Sequence, residues 1–176
     1  MEGLGMKANE VILEDVRTIA EEMAGTLGGL AGSTLLVTGG SGFLCSYLLD
    51  SVAFLNDNVL PEPCRVVSVD NLRSGVARRV GHLAGRREFR FVEHDVSKLL
   101  DPGEPGDWIV HGAGIASPTF YRRFPLETID VNVTGTRMML EMARSGGVRG
   151  VLCMSTSEIY GDPTPDAIPT PETYRG

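Results

Sequence analysis

The sequence contains few of the residues that usually bind metals or form disulfides. Its 176 residues include only three cysteines and three histidines. Cys45, Cys64 and Cys153 are an odd number without metal-like spacing, and no HExxH or CxxC pattern occurs. We therefore assign no metal site. Cysteine usage of this kind is typical of a reducing compartment, so we expect a cytoplasmic protein.

Positive charge and long apolar runs are also scarce. The chain carries 16 Lys and Arg against 23 Asp and Glu, a formal net charge of −7. We expect no nucleic-acid partner, because such a partner requires a basic face. No apolar run approaches the ~20 residues of a membrane span, and the first residues do not resemble a signal peptide, so we expect no membrane association.

The first 32 residues are predicted to form an amphipathic helical extension. Apolar residues recur there at steps of three and four, at Ile12, Val16, Ile19, Met23, Leu27 and Leu30. Asn9 is the predicted N-cap, and Gly28-Gly29 the predicted end. The apolar face needs a partner, which is either the body of the same domain or another subunit. General architecture favours the same domain.

From residue 33 to residue 176, short apolar strands alternate with helices. The predicted strands are 34–38, 65–69, 89–94, 108–112 and 150–155, and the main predicted helices are 43–55 and 126–144, the second capped by Gly146-Gly147. The absence of hairpin dipeptides between the strands predicts parallel βαβ units. The expected fold class is therefore α/β, a Rossmann-type doubly wound parallel sheet with an appended N-terminal helix.

A glycine cluster separates the first predicted strand from the first helix of this domain. Gly39, Gly40 and Gly42 lie in "VTGGSGFLCSYLL". Glycine at such a turn lets backbone N–H groups approach a pyrophosphate, and the helix N-terminus adds favourable partial charge. A plain tight turn is the alternative. The third small position is Cys45 rather than glycine, from which we expect a slightly displaced helix and a retained site.

Acidic residues follow the second and third predicted strands. Asp70 lies where a carboxylate accepts from the ribose hydroxyls of NAD, although a simple strand-end turn at Asp70-Asn71 is the alternative. An aspartate there would repel a 2′-phosphate, which favours NAD, while Arg73 and Arg78-Arg79 leave NADP open. Asp95-Val96 follows the third strand, at the expected position of the adenine edge.

Two polar segments follow the fourth and fifth strands, "HGAGIASPTFY" and "MSTSEIYGD". Ligands of open α/β sheets bind beyond the carboxyl ends of the strands, so both segments should face the site. For "STSE", a helix-capping box or Ser/Thr turn would explain the hydroxyls by local hydrogen bonding alone.

In this order, "TGGSGFL", "VDN…SG", "HDV", "ETIDVNVTGT" and "STSEIYGDP" resemble the extended short-chain dehydrogenase/reductases, the NAD-dependent nucleotide-sugar epimerase/dehydratase family. The resemblance runs from about residue 33 to residue 176. Within the family, "ASPTFY", "STSEIYGDP" and "PETYRG" are most similar to UDP-glucuronate decarboxylases (UDP-xylose synthases). The 4,6-dehydratases usually have Thr-Asp-Glu where this chain has Thr156-Ser157-Glu158.

The resemblance implies a redox-neutral reaction of a nucleotide sugar with bound NAD. C4 of the sugar is oxidised, the C5 carboxylate leaves as carbon dioxide, and C4 is reduced again. It implies that Thr156 binds the sugar O4 and that Glu158 lies beside the ring next to Ser157, these three being the catalytic candidates. The implied cofactor contacts are Gly39, Gly42, Phe43, Leu44, Asp70, Asn71, Asp95, Val96, Ala113, Thr128 and Ser155. The implied substrate contacts are Ser117, Tyr121 and Asn132. The family is usually dimeric, so we expect a homodimer.

One departure from the family pattern concerns the general base. The family uses a Tyr in a Tyr-x-x-x-Lys pair, where the lysine and the cofactor lower the pKa of the phenol. No such pair occurs in the 176 residues, and Tyr160 is followed by Thr164. We expect the pair to lie beyond the segment matching "PETYRG", so that the chain is truncated before it and before the substrate-binding part. The alternatives are a 4-epimerase or 4,6-dehydratase, and an NAD-binding module without turnover.

Overall fold

The computed structural model describes residues 2–23, 25–98 and 106–175. The predicted sheet is confirmed. Its five strands are all parallel and lie in the order β3-β2-β1-β4-β5. Their bounds are β1 Thr34–Thr38, β2 Arg65–Asp70, β3 Phe89–Glu93, β4 Trp108–His111 and β5 Gly150–Cys153. Within the described ranges, no helix is long and apolar enough to cross a membrane.

Helices cover both faces of the sheet, as a doubly wound fold requires. Helix α2, Phe43–Asn58, packs its buried Leu49 and Val52 against Leu35 and Val37 of β1. On the opposite face, Val131 and Met139 pack against Leu36 and Ile109. The alternation of β1 residues between the two cores follows from the period-two geometry of a strand. Both faces of the central strands are therefore buried.

The N-terminal helix α1, Glu2–Met23, packs against α2 of the same domain. Its Val16 and Ala20 are 2% and 1% exposed, and the Tyr47 hydroxyl of α2 donates to Asp15 at 3.3 Å. The prediction of an intramolecular partner is thus confirmed. The predicted bounds were wrong. Asn9 lies inside the helix rather than at its cap, because the residues before it continue the helix. The helix ends at Met23, before Gly25, and Leu27–Leu30 forms a separate 3₁₀ turn.

The second predicted helix of the domain is longer than predicted and is not regular. Helices α3, Pro118–Arg123, and α4, Pro125–Ile129, precede a π-helical segment, Asp130–Gly135, and α5, Thr136–Gly146. The predicted cap is confirmed at Gly147, whose φ of 69° is left-handed and suits glycine. The segment 71–85, whose sequence "NLRSGVARRVGHLAG" is polar and predicts partly helical structure, contains two 3₁₀ turns, Ala77–Arg79 and Gly81–Leu83.

The strand order sets the position of the site. The chain leaves β1 towards β2 and β3 on one side, whereas β4 and β5 lie on the other side. The order therefore reverses between β1 and β4. Ligands of open α/β sheets bind in the crevice beyond such a switch point, at the carboxyl ends of the strands.

Candidate functional site

A crevice opens beyond the carboxyl ends of the first four strands. Its wall comprises the glycine turn after β1, the loops after β2, β3 and β4, and the first turns of the helix that begins at Pro125. The structure brings together there seven of the predicted cofactor residues, Gly39, Gly42, Asp70, Asn71, Asp95, Val96 and Ala113. The sequence motifs therefore converge on one concave site although they lie on four separate loops.

The turn after β1 is shaped by close backbone approach. Gly39 has a φ of 73°, and a Cβ at this position would lie 2.6 Å from the Gly112 carbonyl oxygen and 2.7 Å from the Ala113 nitrogen. Only glycine lets the two loops pass at this distance. Helix α2 starts directly after the turn, with Gly42 as its extended N-cap. Its first N–H groups have no partner within the helix and are suited to a phosphate.

Asp70 links the turn after β1 to the loop after β2. Its side chain accepts from the Ser41 N–H at 3.0 Å through one oxygen and from the Leu72 N–H at 2.8 Å through the other. The residue is 7% exposed and lies in the wall of the crevice. Each carboxylate oxygen has a further lone pair. Asp70 can therefore accept a hydrogen bond from a ribose hydroxyl while both of its backbone hydrogen bonds are kept.

Asp95 is held as a carboxylate in the loop after β3. Burial raises the pKa of this group, but hydrogen bonds from the Ser97 hydroxyl, the Ser97 N–H and the Asn71 side chain outweigh burial and lower the pKa. The two Ser97 bonds reach the same Oδ1 at 2.7 and 3.0 Å. The loops after β2 and β3, which supply Asn71 and Asp95, are thereby joined at the crevice.

A buried histidine positions the loop after β4. His111 Nδ1 lies 2.7 Å from the Thr38 hydroxyl, and its Nε2 lies 3.2 Å from the Thr136 hydroxyl. The single proton of Thr136 is donated to the Asn132 carbonyl at 2.6 Å, so Nε2–H must donate to Thr136. Nδ1 then accepts from Thr38, whose oxygen accepts from the Ala113 N–H at 3.2 Å. Burial lowers the pKa of His111, in agreement with a neutral ring.

The unusual Cys45 is accommodated by a complementary glycine. Its thiol is buried, 3.8 Å from the Thr38 carbonyl oxygen, and a Cβ on Gly112 would collide with its sulfur. Burial and, to a lesser degree, the negative charge of Asp70 raise the pKa of this thiol, so it stays protonated. Cys45 therefore fills space at the end of β4 and leaves the glycine turn in place.

The predicted catalytic residues lie at the end of β5, beside β4. The Met154 N–H donates to the His111 carbonyl at 2.9 Å, which extends the pairing one residue beyond β5. Thr156 caps the short 3₁₀ helix Ser157–Tyr160, and its hydroxyl oxygen accepts from the Glu158 N–H at 3.2 Å. The local turn considered from the sequence is therefore present. Because Thr156 is the acceptor in this bond, its proton remains available to a ligand.

The other predicted residues are not part of the crevice wall. Phe43 and Leu44 form the first turn of α2 with exposed side chains. The Thr128 hydroxyl donates to the Phe124 carbonyl at 2.7 Å within its own helical segment. The predicted substrate residues lie on the helical elements after β4. Ser117 caps α3, Tyr121 lies on that helix, and Asn132 lies on the π-helical segment near Gly114. Their predicted roles remain predictions, as do those of Ser155, Thr156, Ser157 and Glu158.

Several residues of the crevice wall were not predicted as site residues. They include Arg73, Ser74, Gly75, His94, Lys98 and Glu127. Arg73 and Glu127 form an ion pair at 2.9 Å although 54 residues separate them. Only the sheet order brings the loop after β2 next to α4, so no local pattern could have indicated this pair. His94 directly precedes the predicted Asp95, and its buried Nε2 has no hydrogen-bond partner in the structure.

The chemistry of the crevice matches a dinucleotide. Close-packed glycine backbone and a helix start suit a pyrophosphate, and the Asp70 carboxylate suits a ribose. Among the described residues, no group of three or more His, Cys, Asp or Glu side chains could hold a metal ion.

Comparisons with known proteins agree with this geometry. Residues 35–175 match the family model described as the NAD dependent epimerase/dehydratase family. UDP-glucuronic acid decarboxylase 3 of Arabidopsis thaliana is 40% identical over 144 residues, which are 81% of this chain and 38% of that protein. The chain thus spans less than two fifths of this relative.

Solved structures with the same fold include enzymes of two further reactions. The crystal structure of a UDP-galactose 4-epimerase is 34% identical with a TM-score of 0.65, over 80% of this chain and 43% of that one. A dTDP-glucose 4,6-dehydratase from Streptomyces venezuelae, solved with NAD bound, is 28% identical with a TM-score of 0.65, over 74% and 42% of the two chains.

Proposed function

Because the chain belongs to the NAD-dependent epimerase/dehydratase family, we propose that it is the cofactor-binding part of an enzyme that converts UDP-glucuronate to UDP-xylose. The cofactor is NAD. The observation that carries the proposal is the placement of the Thr156-Ser157-Glu158 turn at the end of β5, one strand beyond the dinucleotide crevice. The identity to UDP-glucuronic acid decarboxylases supports the choice of reaction.

The proposed reaction is redox-neutral. C4 of the sugar loses a hydride and O4 loses a proton, which gives a 4-keto sugar. The C5–carboxylate bond then breaks, carbon dioxide leaves, and the electron pair is delocalised into the 4-keto group. A proton is added at C5, and C4 and O4 regain hydride and proton to give UDP-xylose. NAD, when bound, supplies the hydride acceptor and later the hydride donor.

The residues of this chain contribute binding and orientation. The glycine turn would hold the pyrophosphate of the dinucleotide and Asp70 would hold its ribose. The His111 network fixes the backbone of Ala113 in the same crevice wall. The Thr156 hydroxyl, already polarised by the Glu158 N–H, donates to O4. Glu158 presents an exposed carboxylate on the same turn, next to the sugar ring. No Tyr-x-x-x-Lys pair occurs within these 176 residues, so we assign none of them as the base that removes the O4 proton.

The test uses the protein at its full natural length with UDP-glucuronate and NAD⁺. We expect equal amounts of UDP-xylose and carbon dioxide, measured by chromatography and isotope release, and no net NADH. Loss of one transition-state hydrogen bond in Thr156→Val should lower kcat by about 10²-fold, with NAD⁺ affinity unchanged. Thr164→Val, which removes an exposed hydroxyl from the following loop, is the matched control. Full activity of Thr156→Val would refute its role.

Two other functions remain as outcomes of this test. The likeness to a UDP-galactose 4-epimerase and a dTDP-glucose 4,6-dehydratase favours those reactions as the second candidate. No turnover of UDP-glucuronate, together with turnover of a UDP-hexose or dTDP-hexose, would select that candidate. NAD⁺ binding without turnover of any of these sugars would identify a binding module.

We also propose that the protein forms a homodimer in the cytoplasm. Support for the dimer comes from apolar side chains exposed along the segment 125–146, at Leu126, Ile129, Val133 and Leu140, with exposures of 53–72%. A stripe of this kind is typical of a protein interface. Ile129→Lys should lower the mass measured by sedimentation towards that of a monomer. Leu13→Lys, at an equally exposed residue of α1, should not. The cytoplasmic location stays a prediction from cysteine usage.

A further inference from the structure

An ion pair lies at the wall of the crevice, between the loop after β2 and α4. Arg73 Nη1 lies 2.9 Å from Glu127 Oε1, and both residues line the crevice. The Arg73 guanidinium also lies 5.4 Å from the centre of the Phe124 ring. Leu72, with a left-handed φ of 56°, donates its N–H to Asp70, which fixes where the chain enters Arg73. The Arg73 guanidinium thus contacts both Glu127 and Phe124.

The crevice has a negative balance of charge. Its wall contains four carboxylates, Asp70, Asp95, Glu127 and Asp130, and two permanent cations, Arg73 and Lys98. A hydrogen bond from its own backbone N–H and the Arg73 guanidinium lower the pKa of Glu127, so this group is ionised at neutral pH. Glu127 therefore cancels the charge of the cation nearest in sequence to Asp70.

That cation has the chemistry to decide between the two nicotinamide dinucleotides. NADP differs from NAD by a 2′-phosphate on the adenosine ribose, and an arginine near the ribose-binding carboxylate accommodates this phosphate. Arg73 is three residues after Asp70 in the same wall, and a guanidinium pairs with a phosphate through a planar fork. The same donors cannot serve Glu127 and a phosphate equally well.

We propose that Glu127 determines cofactor choice, because it occupies and neutralises Arg73 and so makes the crevice select NAD over NADP. This inference rests on the proposed function, whose dinucleotide it specifies. It assigns a role to an ion pair that would otherwise be an ordinary surface contact. The side chains of Arg73 and Glu127 are 37% and 44% exposed, so the pair adds little to folding stability and can be removed.

The experiment measures NAD⁺ and NADP⁺ dissociation constants by calorimetry on four forms of the chain. These are the wild type, Glu127→Gln, the double variant Arg73→Gln/Glu127→Gln, and the control Glu141→Gln. Glu141 pairs with Arg137 at 2.9 Å farther along the same helical segment and is not part of the crevice wall. The control therefore removes the same charge from the same kind of pair. In the ratio of the two dissociation constants, the effect of every contact that both dinucleotides make cancels, which leaves the effect of the 2′-phosphate.

We expect Glu127→Gln to bind NADP⁺ about fivefold more tightly, with the NAD⁺ constant changed by less than about twofold. The double variant should lose this gain, because Arg73 makes the new contact. An unchanged ratio in Glu127→Gln would overturn the inference, as would an equal shift in Glu141→Gln or a gain that persists in the double variant. Failure of the wild type to bind either dinucleotide would refute the proposed function, and the inference with it.

Discussion

Cys45 and Gly112 should be energetically coupled. A Cβ added in Gly112→Ala would lie 3.3 Å from the Thr38 carbonyl oxygen and 3.6 Å from Met154 Cγ, and it would collide with the Cys45 sulfur. Gly112 has no left-handed φ, so packing rather than backbone strain sets the cost. Overpacking of a buried site costs about 1–3 kcal/mol, and Cys45 is only 4% exposed, so its side chain has little space into which it could move.

The double-mutant cycle isolates this contact. Cys45→Ala removes the sulfur and costs about 1 kcal/mol in buried apolar area, partly offset by the higher helix propensity of alanine. In that background, Gly112→Ala should cost less than about 0.5 kcal/mol, so the two changes together cost less than their sum. Unfolding in urea is followed by the fluorescence of Trp108, the single tryptophan, whose ring packs beneath Arg149.

A matched glycine separates packing from loss of chain entropy. Gly81→Ala introduces a Cβ with no heavy atom within 4 Å, at a residue without a positive φ. It should be neutral or stabilising by up to about 1 kcal/mol. If Gly112→Ala costs the same with and without the Cys45 sulfur, the reasoning fails, and the glycine is required for another reason.

Three further predictions follow from single contacts. Burial lowers the pKa of His111, so below about pH 6.5 the unfolded chain binds more protons than the folded chain. The free energy of unfolding should therefore fall as the pH drops from 7 to 5, and it should fall less steeply in His111→Gln. Asp70→Asn offers one acceptor oxygen to two backbone N–H donors, so it should cost about 1–3 kcal/mol in urea unfolding and weaken NAD⁺ binding in calorimetry. Leu72→Gly relieves a left-handed residue and should raise the free energy of unfolding or leave it unchanged, whereas Leu72→Val should lower it by about 1 kcal/mol.

The strand positions were predictable because their signals are local. The run Thr34–Thr38 is apolar or β-branched throughout and is bounded by Ser33 and Gly39, and the structure gives the same five residues. The predicted cofactor residues follow the strands directly, and parallel strands bring their carboxyl ends to one edge. For these residues, the position in the sequence directly after a strand is enough to predict the position at the edge of the sheet.

The features that the sequence did not indicate depend on contacts between distant segments. Thr38 and His111 are 73 residues apart, and their hydrogen bond exists because β1 and β4 are neighbours. Cys45 departs from the usual glycine in the sequence pattern, but its contact with Gly112 depends on how the two loops pack in the folded chain. The π-helical segment Asp130–Gly135 is a short insertion between two α-helical segments. The spacing of apolar residues along the sequence therefore could not distinguish it from regular α-helix. At Asn9, a capping residue type lies within a helix that starts earlier.

The proposed function divides cofactor binding and sugar chemistry between different strands of this sheet. The proposed dinucleotide contacts come from the loops after β1 to β4, which are joined by Asp70, by Asp95 with Asn71 and by the His111 network. The sugar-facing candidates come from the turn after β5. Among the described residues, its hydrogen bonds are local apart from that between the Met154 N–H and the His111 carbonyl. Substitutions in the turn 156–158 should therefore lower turnover and leave NAD⁺ affinity unchanged. A change at Asp70 or His111 should alter NAD⁺ affinity first, because it loosens the loops that hold the dinucleotide, and turnover only as a consequence.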